Sequence, residues 1–123
     1  MAWEVEFTPE FEKWWHALSE SEQAEISAKV ALLEVHGPGL TRPHADVIVT
    51  SRYANMKELR ASHRRRLFRV LFAFDPRRMA ILLIGGDKTG DPTWYERVVP
   101  LADELYHNHL ETLKREAGHG KKL

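Results

Sequence analysis

The segment from Lys57 to Phe74 constrains the fold more than any other part of the chain. It contains Lys57-Glu58-Leu59-Arg60, then Arg64-Arg65-Arg66, and then the apolar-rich run from Leu67 to Phe74. Such a pattern predicts the two strands of a β-hairpin. Residues 57–78 hold eight Lys or Arg against two Asp or Glu, a net charge of +6, although the chain as a whole is neutral. Positive charge concentrated on a sheet indicates an anionic partner.

The size and composition predict a single soluble domain. The chain has 123 residues, of which 43% are hydrophobic and 29% charged, enough apolar area for one core. We assign residues 1–117 to this domain and residues 118–123 to a flexible basic tail. The absence of cysteine excludes a disulfide framework and Cys-ligated zinc. Met1-Ala2-Trp3-Glu4 does not resemble a leader, and no apolar run is long enough for a bilayer. We therefore expect a cytoplasmic protein without a membrane partner.

Local signals predict a strand followed by two helices. Residues 3–7 alternate apolar and charged side chains, which is typical of a strand. Thr8 before Pro9 predicts the start of a first helix, and Ser19 with Glu22 predicts a capping box for a second. Gly37-Pro38 predicts the end of that helix. The apolar spacing indicates that the two helices form an antiparallel hairpin, with Trp14 and Trp15 in the core.

The rest of the chain predicts an antiparallel β-meander and a last helix. The strands are expected at residues 56–61, 65–75 and 79–85, with a turn at Asp75-Pro76-Arg77-Arg78. Residues 38–55 predict a loop with a short extended piece at 47–49. Asp91-Pro92 predicts the start of a helix that runs to about Ala117, with Pro100 as a candidate break. The predicted fold class is α+β.

Strand alternation sorts the meander into two faces. A hairpin loop centred near His63 sets Glu58 opposite Arg69 and Arg69 near Ile84. The face against the helices is then expected to hold Leu59, Phe68, Val70, Phe72, Phe74, Ile81 and Leu83. The other face holds Glu58, Arg60, Arg69, Ile84 and Gly86, with Lys88 at the strand's end and Trp94 and Tyr95 beside it. Such a cluster suits a phosphodiester and a stacked base.

Structural explanations compete with this functional one. An isolated Glu58–Arg69 pair is typical of a solvated cross-strand contact, and Arg64-Arg65-Arg66 is typical of an edge-protecting charge run. The stretch 85–90 lacks the spacing of a Walker loop, so nucleotide hydrolysis is rejected. His107 and His109 point to different sides of a helix, so no metal site is expected with Glu104.

The stretches 57–60, 68–74 and 81–88, together with Trp94-Tyr95, resemble the HigB and RelE superfamily of bacterial toxins, and especially its phage-derived HigB-like branch. The resemblance covers nearly the whole chain and implies a RelE-like fold: an N-terminal strand, a two-helix hairpin, an antiparallel meander and a C-terminal helix. It implies the toxin of a type II toxin–antitoxin system, a ribosome-dependent messenger endoribonuclease. Cleavage by 2′-hydroxyl attack at the ribosomal A site would need no metal or cofactor. The implied partner is a HigA-like helix-turn-helix antitoxin.

The resemblance also assigns roles to individual residues. Arg69, Lys88, Arg60 and Tyr95 match catalytic positions of the family. Glu58 stands where RelE proper carries lysine, and we assign it as general base or as the group that orients Arg69. We assign RNA binding to Lys57, Arg64, Arg65, Arg66 and Trp94. Two alternatives stay open: a ParE-like gyrase poison, which uses the same fold, and a non-catalytic RNA-binding module.

Overall fold

The described part of the chain folds into one mixed sheet and three α-helices. The computed structural model describes residues 2–121, with side chains through residue 116. The elements in chain order are β1 (Val5–Phe7), α1 (Pro9–His16), α2 (Glu20–His36), a short 3-10 helix (Gly37–Gly39), β2 (Ala45–Val47), β3 (Lys57–His63), β4 (Arg66–Phe74), β5 (Ala80–Asp87) and α3 (Trp94–Lys121). The predicted RelE-like element order is confirmed. The predicted flexible tail at 118–123 overlaps α3, which continues to Lys121, and residues 122 and 123 lie outside the described residues.

Local sequence signals account for where the helices begin. Thr8 Oγ1 accepts a hydrogen bond from the Phe11 N–H at 3.0 Å and donates one to the Leu83 carbonyl at 2.6 Å, which ties α1 to the sheet. Ser19 and Glu22 form the predicted capping box at the start of α2. The last helix begins at Trp94, three residues after Asp91, and Pro100 lies inside it without ending it. Among residues 2–121, no helix is long and apolar enough to cross a membrane.

The sheet has the strand order β1-β5-β4-β3-β2. Strands β3, β4 and β5 form the predicted antiparallel meander. At one edge β1 pairs with β5 in parallel, and at the other β2 pairs with β3. Helices α1 and α2 cover one face with a core that includes Phe11, Ile26, Leu33, Val70 and Phe72. Helix α3 covers part of the other face with a second core that includes Leu71, Leu83, Val98, Ala102 and Tyr106.

The register of the meander corrects the predicted one. Arg60, rather than Glu58, lies opposite Arg69, because the hairpin turns at Arg64-Arg65, one residue later than expected. The pairing of β3 with β4 is shifted by two residues from the predicted one. Because side chains alternate between faces, a shift of two residues leaves every side chain of β3 and β4 on its predicted face. On β5, Arg69 pairs with Gly86 instead of lying near Ile84.

A β-bulge corrects the predicted faces of β5. Leu71 pairs with Ile84 and Phe72 with Leu82, so Leu83 has no partner between them. Ile81 and Leu83 were expected to face α1 and α2, but both lie in the core beneath α3. The extra residue at the bulge restores the expected alternation for Ile84 and Gly86. The end of β5 that leads to Lys88 therefore faces as predicted.

Two consecutive glycines let tryptophans from both layers approach the sheet. A Cβ at Gly85 would lie 2.2 Å from Trp14 Cε3, and one at Gly86 would lie 2.8 Å from Trp94 Nε1. Side chains at these positions would displace an indole ring, since real Cβ contacts are longer. Gly86 thereby lets the start of α3 lie close to the sheet, and Gly85 does the same for α1 on the other face.

A buried carboxylate anchors the middle of α3. Asp75 accepts hydrogen bonds from Arg77 Nη2 at 2.7 Å and from the Arg77 N–H at 2.8 Å, and His109 Nε2 lies 2.8 Å from its Oδ2. Burial alone would raise the pKa of Asp75, but hydrogen bonds from Arg77, His109 and the backbone outweigh it and lower the pKa. The cluster holds α3 against the β4–β5 turn.

Candidate active site

Glu58, Arg69 and Tyr95 meet on the face of the sheet below the start of α3. The Tyr95 hydroxyl donates a hydrogen bond of 2.7 Å to Glu58 Oε1. Arg69 Nε lies 3.5 Å from the same oxygen, and the two charged side chains are 5% and 7% exposed. The pair is therefore buried, unlike the solvated contact considered as an alternative. Two groups, one from β4 and one from α3, therefore converge on a single carboxylate oxygen of β3.

Burial and Glu58 together set the protonation state of Tyr95. Burial raises the pKa of the phenol, and the hydrogen bond to the Glu58 carboxylate raises it further. Tyr95 therefore carries its proton at neutral pH and acts as a donor to Glu58. It can take up a proton from another group only as it passes its own to Glu58.

Two arginines face each other across β3 and β4 in the same site. Because the Arg60 N–H donates to the His44 carbonyl on the other side of β3, Arg60 and Arg69 form a non-hydrogen-bonded pair, whose Cα atoms are about 4.5 Å apart. Like charges in that position repel. Arg69 Nη1 donates to the Phe68 carbonyl at 2.9 Å, but among the described residues its buried Nε finds no acceptor in hydrogen-bond geometry. An anion between the two arginines would offset their mutual repulsion.

Lys88 stands at the rim of this cluster. Its ammonium lies 5.8 Å from the centre of the Tyr95 ring, within the range of a cation–π contact. The Lys88 N–H donates to the Leu67 carbonyl at 2.9 Å, and Thr89 Oγ1 accepts from the Leu67 N–H at 2.7 Å. These bonds fix the backbone at the end of β5. Glu58, Arg60, Arg69, Lys88 and Tyr95 therefore lie together, as the sequence predicted.

Two residues assigned to RNA binding are held elsewhere. Trp94 is 4% exposed and packs in the core beneath α3, against Gly86, so its ring presents no free face to a base. Its assignment as a stacking residue is wrong for this conformation. Lys57 lies on the opposite face from Glu58, and its Nζ donates to the Pro38 carbonyl at 3.0 Å. Lys57 therefore caps the short 3-10 helix and does not reach the cluster.

The three arginines of the hairpin occupy its tip. Arg64 and Arg65 have φ angles of 47° and 70°, as a two-residue type I′ turn requires, and both side chains are exposed. Such turns favour Asn and Gly, because a Cβ is strained at positive φ. Arg66 lies 3.5 Å from Glu22 and 4.0 Å from Asp87, so its charge is partly balanced. The tip lies on the loop that joins β3 to β4.

Sequence reasoning missed a neighbouring groove of about 450 Å³. Glu25, Lys29, Arg42, Pro43, Arg60, Ala61, Ser62, Leu67 and Arg69 line it. Lys29 is one of several charged residues of α2, and Arg42 lies in a loop, so no sequence pattern marks them. Only the fold brings them beside the two site arginines. Within the described residues, no group of three or more His, Asp or Glu is arranged to hold a metal ion.

Solved structures show that the architecture is that of RelE. A double arginine-to-alanine variant of Escherichia coli toxin RelE in the free state matches with a TM-score of 0.55 at 12% identity, over 80% of this chain and 96% of the other. A chain of the archaeal RelE–RelB complex from Pyrococcus horikoshii OT3 matches with a TM-score of 0.54 at 18% identity, over 73% of this chain and 99% of that chain. At these identities the match defines the fold alone.

Sequence relatives define the family. Residues 13–107 match the family described as Phage derived protein Gp49-like. HigB3 of Mycobacterium tuberculosis strain H37Rv, a protein named as a toxin, is 45% identical over 103 residues, which cover 83% of this chain and 89% of HigB3. HigB2 of the same strain, also named as a toxin, is 42% identical over 99 residues, 79% of this chain and 49% of HigB2. The chain belongs to the Gp49-like family of HigB- and RelE-type toxins, which confirms the predicted resemblance.

Proposed function

We propose that this toxin is an endoribonuclease that cleaves messenger RNA in the ribosomal A site, without a metal or cofactor, and so inhibits translation in the cytoplasm. The observation that carries the proposal is the buried Arg69, which lies opposite Arg60 and whose Nε, 3.5 Å from Glu58, makes no hydrogen bond among the described residues. Two arginines at opposed positions of neighbouring strands suit a group whose negative charge grows during reaction, such as a phosphorane.

The cluster supplies both proton transfers of an attack by the ribose 2′-hydroxyl. The 2′-oxygen bonds to phosphorus while its proton passes to Tyr95, and Tyr95 gives its own proton to Glu58. Arg60 and Arg69 stabilise the pentacoordinate phosphorus. The bond to the 5′-oxygen then breaks, and Lys88 at the rim protonates that oxygen. The products are a 2′,3′-cyclic phosphate and a 5′-hydroxyl. Glu58 is only 7% exposed, so it acts as the base through Tyr95.

Arg64 and Arg65 extend the proposed RNA contact beyond the cluster. Both are exposed at the hairpin tip, where their charges can pair with ribosomal or messenger phosphates. Arg66 contributes less, because Glu22 and Asp87 lie beside it. Lys57 and Trp94 act in this proposal by holding the backbone and the start of α3.

An antitoxin of the HigA-like helix-turn-helix class is the proposed partner. The similar RelE from Pyrococcus horikoshii was solved as a RelE–RelB complex, which supports a protein partner of this kind. An acidic segment would complement the basic face around Arg60 and Lys88. Co-expression with an adjacent helix-turn-helix reading frame and affinity purification of the toxin tests this. Purification of the toxin alone, with the partner soluble in the same extract, would contradict it.

The experiment that tests the enzyme is mapping of messenger 5′ ends by primer extension in a cell-free translation reaction. Wild type is compared with Arg69→Ala and with Arg52→Ala, a matched control because Arg52 is exposed and lies outside the cluster. A parallel reaction lacks ribosomes. We expect new 5′ ends with wild type and Arg52→Ala, and none with Arg69→Ala or without ribosomes.

Other results would redirect the assignment. An intact messenger together with blocked growth in cells would refute messenger cleavage and favour a ParE-like gyrase poison. An intact messenger with no effect on growth would favour a non-catalytic RNA-binding module. Cleavage by Arg69→Ala at the wild-type rate would remove Arg69 from the mechanism, and unchanged cleavage by Glu58→Gln would remove Glu58.

A further inference from the structure

The groove beside the proposed site is built where β2 stops short of the end of β3. β2 pairs with Lys57, Glu58 and Leu59, and the last backbone bond across this edge joins the Arg60 N–H to the His44 carbonyl. β3 continues to His63. Because N–H groups alternate sides along a strand, the Ser62 N–H points to the same open edge as that of Arg60. A backbone donor therefore lies in the groove.

Cations from three separate elements line this groove. Lys29 comes from α2, Arg42 from the loop before β2, and Arg60 from β3, with the buried Arg69 at the inner end. Glu25 is the one carboxylate among the lining residues. Arg42 pairs with Asp46 at 2.7 Å, but among the described residues neither Lys29 nor Arg60 has a carboxylate within salt-bridge distance. The groove lining thus carries four cationic side chains against one carboxylate.

Lys29 is held in place by His44. Its ammonium lies 2.9 Å from His44 Nδ1, and both side chains are half-buried. An ammonium has only protons to donate, so Nδ1 is the acceptor and the other ring nitrogen carries the proton. Lys29 keeps further donors for a ligand. A lysine fixed this way loses less side-chain entropy on binding than a free one.

We propose that this groove binds the backbone phosphates of the RNA that flank the cleavage position, with Lys29 and Arg42 as phosphate-binding residues. The inference rests on the proposed function in taking RNA as the substrate. Arg60 and Arg69 line both the groove and the catalytic cluster, so a strand whose scissile phosphate lies between them enters the groove with its neighbouring nucleotides.

The lining favours RNA over a protein segment. Five of its nine residues are cationic or hydroxylic, and the apolar ones are Pro43, Ala61 and Leu67. Protein interfaces draw most of their binding energy from buried aromatic and aliphatic anchors, and the lining of this groove includes no aromatic residue to pack against them. Nucleic-acid interfaces are instead polar and strongly positive.

The test measures how salt weakens the binding of a non-cleavable RNA analogue. A fluorescent 2′-O-methyl oligonucleotide of eight nucleotides is titrated with full-length wild type, Lys29→Gln and Lys13→Gln between 50 and 200 mM salt. Lys13 is an exposed lysine on α1 outside the groove, so Lys13→Gln makes the same charge change elsewhere. An octamer of glutamate is the competing probe. Circular dichroism confirms that each variant is folded.

We expect the slope of log affinity against log salt to fall by about 0.7 in Lys29→Gln, the value of one single-strand phosphate contact. Over the fourfold salt range, the RNA affinity of wild type should then fall about 2.6-fold more than that of Lys29→Gln. Lys13→Gln keeps the wild-type slope. Arg42→Gln, whose native side chain is 71% exposed, gives the same fall and serves if Lys29→Gln does not fold.

Each other outcome has a separate meaning. Equal slopes for Lys29→Gln and Lys13→Gln would overturn the groove assignment, even if wild type cleaves messenger in the primer-extension assay. A loss of glutamate-octamer binding as large as that of RNA would overturn it in favour of an acidic protein partner. A reduced slope in a protein that leaves messenger intact would support the groove and reject the endoribonuclease.

Discussion

Removal of the Tyr95 hydroxyl tests whether the cluster is coupled as the structure indicates. In Tyr95→Phe the ring keeps its packing on Trp94, whose centroid lies 5.1 Å away, while Glu58 loses the donor at 2.7 Å. A hydrogen bond to a charged group contributes about 1.5–3 kcal/mol. Because Tyr95 is only half-buried, we expect a loss of about 1.5–2 kcal/mol, or about 6–8 °C in Tm for a domain of this size.

The assay is urea and thermal unfolding at pH 7, with Tyr53→Phe as the matched control. Tyr53 is also half-buried and packs edge-on against Tyr106, 4.9 Å between centroids, but no carboxylate accepts its hydroxyl proton among the described contacts. We expect Tyr53→Phe to change the free energy of unfolding by less than about 0.5 kcal/mol. Equal losses in the two variants would refute the coupling.

A double-mutant cycle and a pH series sharpen the same prediction. In a Glu58→Gln background, Tyr95→Phe should cost only about 1 kcal/mol, since a neutral acceptor remains. The raised pKa of Tyr95 stabilises the fold below the phenol's ordinary pKa, and this contribution is lost as pH rises through the folded-state value. Tyr95→Phe should therefore lose less stability than wild type in strongly alkaline buffer. An identical alkaline loss in both proteins would contradict the assigned environment.

Three further predictions concern the framework. The lowered pKa of Asp75 stabilises the fold above the ordinary Asp pKa, and this stability is lost as pH falls through the folded-state pKa. In urea unfolding between pH 7 and pH 3, the free energy of unfolding of Asp75→Asn should therefore fall less steeply than that of wild type. Leu71 is fully buried beneath α3, so Leu71→Ala should destabilise by about 2–5 kcal/mol in the same assay, and a smaller effect would contradict its packing. Arg65→Gly relieves a φ of 70° and should raise stability by about 1 kcal/mol while weakening RNA binding; a stability loss would contradict the turn geometry.

The amino-acid sequence determined the features that depend on near neighbours. Thr8 and Ser19 start their helices because a cap needs only a side-chain oxygen and the backbone three residues on. The meander followed from alternation and turn residues. The grouping of Glu58, Arg60 and Arg69 on one face also followed from alternation, because a register shift of two leaves every face unchanged.

The tertiary structure decided the features that depend on contacts between parts of the chain far apart in sequence. Arg60 rather than Glu58 lies opposite Arg69 because the hairpin turn comes one residue later than predicted. The bulge at Leu83 places part of β5 on the opposite face from the predicted one. Trp94 is buried because Gly86 leaves room for its indole. Lys29 and Arg42 reach the site only because α2 and the loop before β2 pack beside the open edge of β3. Local patterns fix which face a side chain takes, whereas packing between elements far apart in the chain fixes its neighbours and its exposure.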